Sequence, residues 1–346
     1  MRFGFKDGYP LSPARPSGLT ARVVEPLNAQ YPFLHDTMIT CWRGRLLMAW
    51  YACGESEMTG KTVIRCRWSE DGVRWSAPER VAERRDGLLC APVTFLQTGS
   101  RLYACVGLMS GPDLLEGLMT FEYDGAAWHE VCQTDELMIL NTLVKRRGGM
   151  LYASGRVPPR RGSLPQIPAV FTAQERMPFR WSVHPLPGPW ARGVYPLSCP
   201  ETALMELSDG FLAFVRHDGG RAWVYAGSAD GTDWTFTGES DLPIAPAKMC
   251  AGTLSTGHAF LIFNEEGARR GRHRLMMAVT SPERDGFERL YALRDGADPA
   301  IGPQGDWHYP CACEKDGLLY VSCTLSDEAN TRQAALLTVP VSSLVR

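Results

Sequence analysis

Four short stretches of this 346-residue chain carry side chains able to move protons or attack carbon. HYPCACEKDG (308–317) places Tyr309 beside His308, and PETALMELSDGFLAFVRHDG (200–219) carries Glu201 and Arg216. FLHDTM (33–38) holds His35 next to Asp36, and CGESEMTGKT (53–62) offers Glu55 and Glu57. A phenol ionises near a pKa of about 10, so a tyrosine nucleophile at neutral pH requires a base. An arginine can clamp a carboxylate through two parallel hydrogen bonds, and a His–Asp pair is suited to proton transfer. Each residue also has a simpler reading. Tyr309 can pack beside Pro310, Glu201 can make a structural hydrogen bond, and Arg216 can pair with Asp218 or Glu265. His35 and Asp36 can satisfy one another.

Metal chemistry is not expected. Cys311 and Cys313 alternate with Ala312, so on a strand both thiols share one face, whereas zinc sites usually space their thiols as Cys-x-x-Cys. The eleven cysteines fall mostly in strand-like runs such as TVIRCRW, RLYACVG and YVSCTL, where Cys behaves as a small hydrophobe. Their odd number fits a reduced, cytoplasmic protein without a disulfide framework. The N-terminal MRFGFKDGYPLSPARPSG has no apolar run of signal-peptide length; a secreted form is the alternative if a leader has been removed. No cofactor is expected.

The elements that must position these residues are strands. Apolar residues make up 45% and charged residues 21% of the chain, enough for a sizeable core, and helical periodicity is nearly absent. The runs RGRLLMAWYAC, GSRLYACVGLM, GGMLYASGRV, DGFLAFVRHDG, GHAFLIFNEEG and DGLLYVSCTLS each open on a glycine turn and continue as an apolar strand. They recur at about 50 to 60 residues, the scale of a propeller blade. The expectation is an all-β, six-bladed β-propeller of four-stranded antiparallel blades, a single domain over residues 1–346. The innermost strands are expected at HDTMITCW, LCAPVTFL, LMILNTLV, PETALMEL, KMCAGTLS and YPCACEKD. VPPRRGSLPQIP (157–168) reads as a long loop within the third blade.

SEDGVRW (69–75) and SADGTDW (228–234) fall between third and fourth strands. Asp-Gly supplies the backbone freedom of a tight turn, Ser and Asp can bond nearby N–H groups, and the Trp can cover the core. Weaker copies are FEYDGAAW (121–128) and SPERDGF (281–287).

These turns resemble the Asp-box, or BNR repeat, of sialidases (neuraminidases), a superfamily of six-bladed propellers, with one residue fewer between Asp and Gly. PETALMELSDGFLAFVRHDG resembles the segment that holds the glutamate activating the tyrosine nucleophile, which is matched by Glu201. Arg216 matches an arginine of the triad that binds the substrate carboxylate, and Tyr309 matches the nucleophile. The segments from LPIAPAKM through RHRLMMAVTS to WHYP and VPVSSL look like bacterial sialidase-like proteins. In this chain the first arginine of the triad has its nearest equivalent in Arg22 of ARVVEPL, and Lys248 occupies the region of the third. In place of the acid/base aspartate stands Glu57 or Glu55.

The resemblance implies a carbohydrate-active enzyme, an exo-acting retaining glycoside hydrolase on an acidic sugar. Tyr309 would be the nucleophile, Glu201 its base and Glu57 the acid/base, with Asp36 in proton transfer. A neutral nucleophile suits an anionic substrate, which a carboxylate nucleophile would repel. Substrate binding is assigned to Arg22, His35, Arg156, Arg216, Lys248 and His308, with Trp42, Trp50, Trp190 and Trp307 as sugar platforms or inter-blade packing. The alternatives are a lyase acting on a uronic-acid-containing glycan and a non-catalytic glycan-binding propeller. A glycan is the expected partner. With a net charge of −2 and no basic stripe, neither nucleic acid nor an anionic membrane is expected to bind.

Overall fold

The structure is a computed structural model that describes residues 3–164, 166–267, 272–295 and 304–345. Among the described residues, twenty-five strands form six radially repeated antiparallel units, the blades of an all-β propeller. After β1 (Thr20–Glu25), blade 1 comprises β2 (Phe33–Trp42), β3 (Arg45–Cys53), β4 (Thr62–Ser69) and β5 (Glu79–Ala82). Blade 2 is β6 (Leu89–Thr98), β7 (Arg101–Gly111), β8 (Leu114–Tyr123) and β9 (Trp128–Thr134).

The innermost strand of blade 3 is broken into β10 (Ile139–Leu140) and β11 (Lys145–Arg147), both paired with β12 (Met150–Val157). Outside it lie β13 (Ile167–Gln174) and β14 (Ser182–Pro185). The loop expected over 157–168 joins β12 to β13; residue 165 lies outside the described residues. Blade 4 is β15 (Thr202–Glu206), β16 (Phe211–Val215), β17 (Trp223–Gly227) and β18 (Trp234–Glu239). Blade 5 is β19 (Cys250–Thr253), β20 (Ala259–Asn264), β21 (Arg274–Thr280) and β22 (Phe287–Asp295).

Blade 6 takes β23 (Asp306–Lys315), β24 (Leu318–Ser326) and β25 (Arg332–Pro340) from the C-terminal end of the chain. Its fourth strand is β1 (Thr20–Glu25), which pairs with β25. One blade thus holds both ends of the propeller, and the Phe33–Arg332 pairing stitches it to blade 1.

The second strands, whose apolar runs mark the repeat in the sequence, are buried along most of their length. Leu46 to Trp50 and Phe214 to Val215 are inaccessible to solvent. Alternate residues of such a strand face opposite sides, so apolar residues on both faces pack against the preceding and following blade. Trp50 and Trp307 are fully buried, and Trp42 and Trp190 nearly so. Inter-blade packing is therefore their role, and the reading of these four as sugar platforms does not hold.

The two Asp-Gly turns are built alike. In the first, Asp71 Oδ1 accepts from the N–H groups of Val73 and Arg74 at 2.8 Å, while Ser69 Oγ accepts from Gly72 N–H at 2.8 Å. Trp75 then folds back so that its Nε1 donates to Gly72 O at 3.3 Å. In the second, Asp230 Oδ1 accepts from Thr232 N–H, and Trp234 Nε1 donates to Gly231 O at 2.9 Å. Gly72 and Gly231 have φ of 71° and 70°, where a side chain is costly. A β-carbon at either position would also run into a tyrosine of the preceding blade, Tyr320 for Gly72 and Tyr152 for Gly231. The motif therefore closes a hairpin and seats the tyrosine of the preceding blade.

Candidate active site

Residues at the starts of the inner strands meet at one end of the central channel, because radial repetition points every inner strand the same way. Two starts are bent in the same manner. Register shifts between His35 and Met38 on β2, and between His308 and Cys311 on β23. Within these bulges Asp36 and Tyr309 adopt φ of 50° and 55°. A bulge re-aims a side chain out of the pleat, and a non-glycine residue in this region costs of order 1–3 kcal/mol. Such strain concentrates where function holds it, and here it falls on the candidate nucleophile and its neighbour from blade 1.

Tyr309, Glu201 and Arg216 are joined through the guanidinium. Arg216 Nη1 donates to Glu201 Oε2 at 2.7 Å and to the Tyr309 hydroxyl oxygen at 3.2 Å. The backbone fixes the pairing as well, since Arg216 N–H donates to Glu201 O at 2.8 Å just beyond the β15–β16 ladder. The simpler partners of Arg216 are occupied elsewhere: Asp218 receives Ser198 Oγ–H, and Glu265 pairs with Arg274 and Tyr9. Glu201 is only 3% exposed. Burial pushes its carboxyl up, but Arg216, Arg156 and Lys248 outweigh that and hold it below the usual carboxylate range. Burial raises the Tyr309 phenol well above its ordinary value and the Glu201 charge adds to this, while Arg216 and Arg272 pull it back.

A second buried pair lies alongside. Lys248, from the segment entering β19, forms an ion pair with Asp36. Burial raises the Asp36 carboxyl, against the pull of Lys248. Arg156, at the end of β12, donates to Cys199 Sγ at 2.8 Å and to Asp113 Oδ1 at 3.1 Å, while its buried Nε finds no partner. Its charge acts on both Glu201 and Asp36.

On the other side of Tyr309, the His35 ring lies 4.2 Å from the tyrosine ring and 5.4 Å from that of His308. His35 Nδ1 bonds Thr324 Oγ1 at 2.7 Å, and its Nε2 faces Glu57 Oε1 at 3.7 Å. Glu57 in turn accepts from Tyr51 Oη–H at 3.1 Å and pairs with Arg332 at 3.1 Å. Burial, followed by nearby cations including Arg332 and Arg272, lowers both histidines well below the usual imidazole range. Both are neutral at pH 7.

The structure thus brings Tyr309, Glu201, Arg216, Arg156, Lys248, Asp36, His35, His308 and Glu57 together through these contacts. Arg22 is the exception. It sits in the middle of β1, opposite Leu336, on the outermost strand of blade 6, with β24 and β25 between it and β23. Because β1 is recruited to close the ring, ARVVEPL forms the outer edge of a blade, and the inner start of blade 1 carries His35 and Asp36.

Four contributors have no signal in the sequence pattern. Arg332 opens a third strand, Arg272 lies in a turn with its guanidinium 5.4 Å from the Tyr309 ring centre, Tyr51 lies near the end of a second strand, and Asp113 lies in a hairpin. Arg332 and Asp113 would have needed the ring closure and blade 2 geometry to be found. No group of three or more His, Cys, Asp or Glu side chains able to hold a metal occurs among the described residues.

Comparison with known proteins bears on the scaffold. Trypanosoma rangeli sialidase in complex with sialic acid superposes with a TM-score of 0.69 at 14% identity over 96% of this chain and 60% of that one. The NanB sialidase of Streptococcus pneumoniae gives 0.68 at 10% identity, covering 93% and 70%. A Dyadobacter fermentans protein of unknown function gives 0.70 at 13% identity, covering 92% and 99%. This chain spans about three fifths of the Trypanosoma enzyme. No curated protein sequence matches significantly. At such identities the likeness is one of fold. The family described as a BNR repeat-like domain matches residues 44–321, and on that match the chain belongs to the BNR repeat-like family, with the fold that the sialidase structures share.

Proposed function

We propose that the protein is a retaining glycoside hydrolase that removes an acidic sugar from a glycan. The observation that carries this reading is the single guanidinium of Arg216 shared between the buried Glu201 carboxylate and the Tyr309 hydroxyl. A substrate carboxylate competes with Glu201 for that guanidinium. The Glu201 oxygen so released takes the phenol proton, and the phenolate oxygen attacks the anomeric carbon as the glycosidic bond breaks. Glu57, half-exposed at the rim, protonates the departing oxygen and then activates water to release the sugar. Arg156, Lys248, Arg272 and Arg332 supply the positive field that an anionic sugar requires.

Fluorogenic glycosides of sialic and uronic acids provide the test. Tyr309→Phe and Glu201→Gln are each expected to abolish turnover in a chain that still melts cooperatively, and full activity in either variant removes the mechanism. A second reading, elimination on a uronic-acid glycan, is favoured by the neutral His35 ring against Tyr309. It yields an unsaturated product absorbing in the ultraviolet, which hydrolysis does not.

A further inference from the structure

The central channel holds a cavity of about 210 Å³. Its lining comes from the inner edges of three blades, with Asn141 and Lys145 from blade 3, Ala251 from blade 5 and Glu314 from blade 6. A break in the inner strand of blade 3 shapes it. Between β10 and β11 the chain leaves the ladder and leans on blade 2, where Val144 N–H donates to Phe95 O at 3.2 Å and Thr142 O accepts from Thr94 Oγ–H at 2.7 Å. The channel wall is recessed there, with Asn141 at the start of the break and Lys145 just after it.

Both residues bring hydrogen-bond donors that the fold leaves unused. Lys145 is half-buried, and its Nζ donates to Ala251 O at 3.0 Å. An ammonium carries three donors, and this one has no carboxylate partner among the described residues. Burial lowers its pKa below the ordinary lysine range. Asn141 is 2% exposed. Thr202 N–H donates to its Oδ1 at 3.4 Å, which orients the amide and leaves Nδ2 without a partner among the described residues. Glu314 is the one acid among the lining residues, and Ser255 N–H and Oγ–H each engage one of its oxygens. A buried donor without an acceptor costs stability, and a cation out of water without a counter-charge costs more. Most of the remaining wall is apolar, including Leu143, Val144, Met249 and Phe260.

We propose that this cavity binds the carboxylate of a short-chain aliphatic acid, with Lys145 as its counter-ion, Asn141 Nδ2 as a further donor and the apolar wall around the alkyl chain. One cation balances one negative charge, which favours a monocarboxylate over a phosphate or a dicarboxylate. At about 30 Å³ per water molecule in the liquid, the volume suits an acid of about four to six carbons. None of Tyr309, Glu201 and Arg216 lines the cavity, so this site is separate from the candidate active site and does not rest on the proposed hydrolysis.

The test is calorimetric titration of the full chain with sodium butyrate, sodium hexanoate and butyramide at constant ionic strength. Saturable binding of both carboxylates and none of the uncharged amide is the expected result. In Lys145→Met the affinity for hexanoate should fall at least about thirtyfold, the loss that follows when one partner of a buried charge pair is removed. Asn141→Asp is a second probe of the same wall, since it keeps the acceptor for Thr202 N–H but sets a negative charge against the ligand; it should weaken binding as well. No saturable binding to the wild-type chain would overturn the proposal, as would butyramide binding as tightly as butyrate. A carboxylate held at Arg216 instead would be indifferent to these changes, so wild-type affinity in folded Lys145→Met or Asn141→Asp also overturns it.

Discussion

Arg216 Nη1 lies 2.7 Å from Glu201 and 3.2 Å from Tyr309, so one guanidinium nitrogen serves a buried carboxylate and a buried phenol on different blades. The guanidinium keeps Glu201 ionised and favours the phenolate form of Tyr309 over what burial alone would allow.

Removing that cation should therefore cost fold as well as function. Arg216→Met leaves Glu201 buried without its nearest countercharge, a loss of roughly 3–5 kcal/mol. Arg216→Lys retains the charge but not the forked donor and is expected to recover most of the stability with little activity. Thermal melts and turnover measured on the same preparations check both outcomes.

The Asp36–Lys248 pair offers a separate case, since both side chains are almost inaccessible. Asp36→Asn is expected to lower stability by about 3 kcal/mol or more because Lys248 is left unpaired. The double variant Asp36→Leu/Lys248→Met removes both charges and should be more stable than either single change. A denaturant-midpoint series over the four chains measures the coupling.

Acid should destabilise the protein from below about pH 6.5. His35 and His308 are held neutral, with folded values depressed below the unfolded one. As pH falls through the unfolded value, the unfolded chain binds protons that the folded chain does not, so stability is lost with acid and regained with base. The slope approaches about 1.4 kcal/mol per pH unit for each histidine. His308→Gln should flatten it by roughly half, as read from melting temperature against pH between 5 and 7.

Glycines at hairpin turns predict a graded series. Gly44 has φ of 74° with open space around it, whereas a β-carbon on Gly72 also meets Tyr320. Gly44→Ala should cost about 1–2 kcal/mol for the backbone conformation alone. Gly72→Ala should cost more, because the tyrosine of the neighbouring blade must move. Activity is expected to persist in both, since neither glycine approaches Tyr309.

The architecture was legible because it is written locally and six times over. Glycine turns, apolar second strands and the Ser-x-Asp-Gly-x-x-Trp hairpins each depend on residues a few positions apart, and every inner-strand start expected from them lies at the inner edge of its blade in the structure. Glu201, Tyr309, Lys248 and the His35–Asp36 pair are visible for the same reason, since they stand at those starts, and Arg216 because it follows the end of the second strand paired with Glu201's. Arg22 was misplaced because the sequence does not say which strand closes the ring, and that choice put ARVVEPL on an outer edge. The positions of Arg332 and Arg272 beside the site, the left-handed backbone at Asp36 and Tyr309, and the guanidinium between Glu201 and Tyr309 were settled by tertiary structure alone. Each arises between blades far apart in sequence, where packing and charge, rather than local propensity, determine which groups meet.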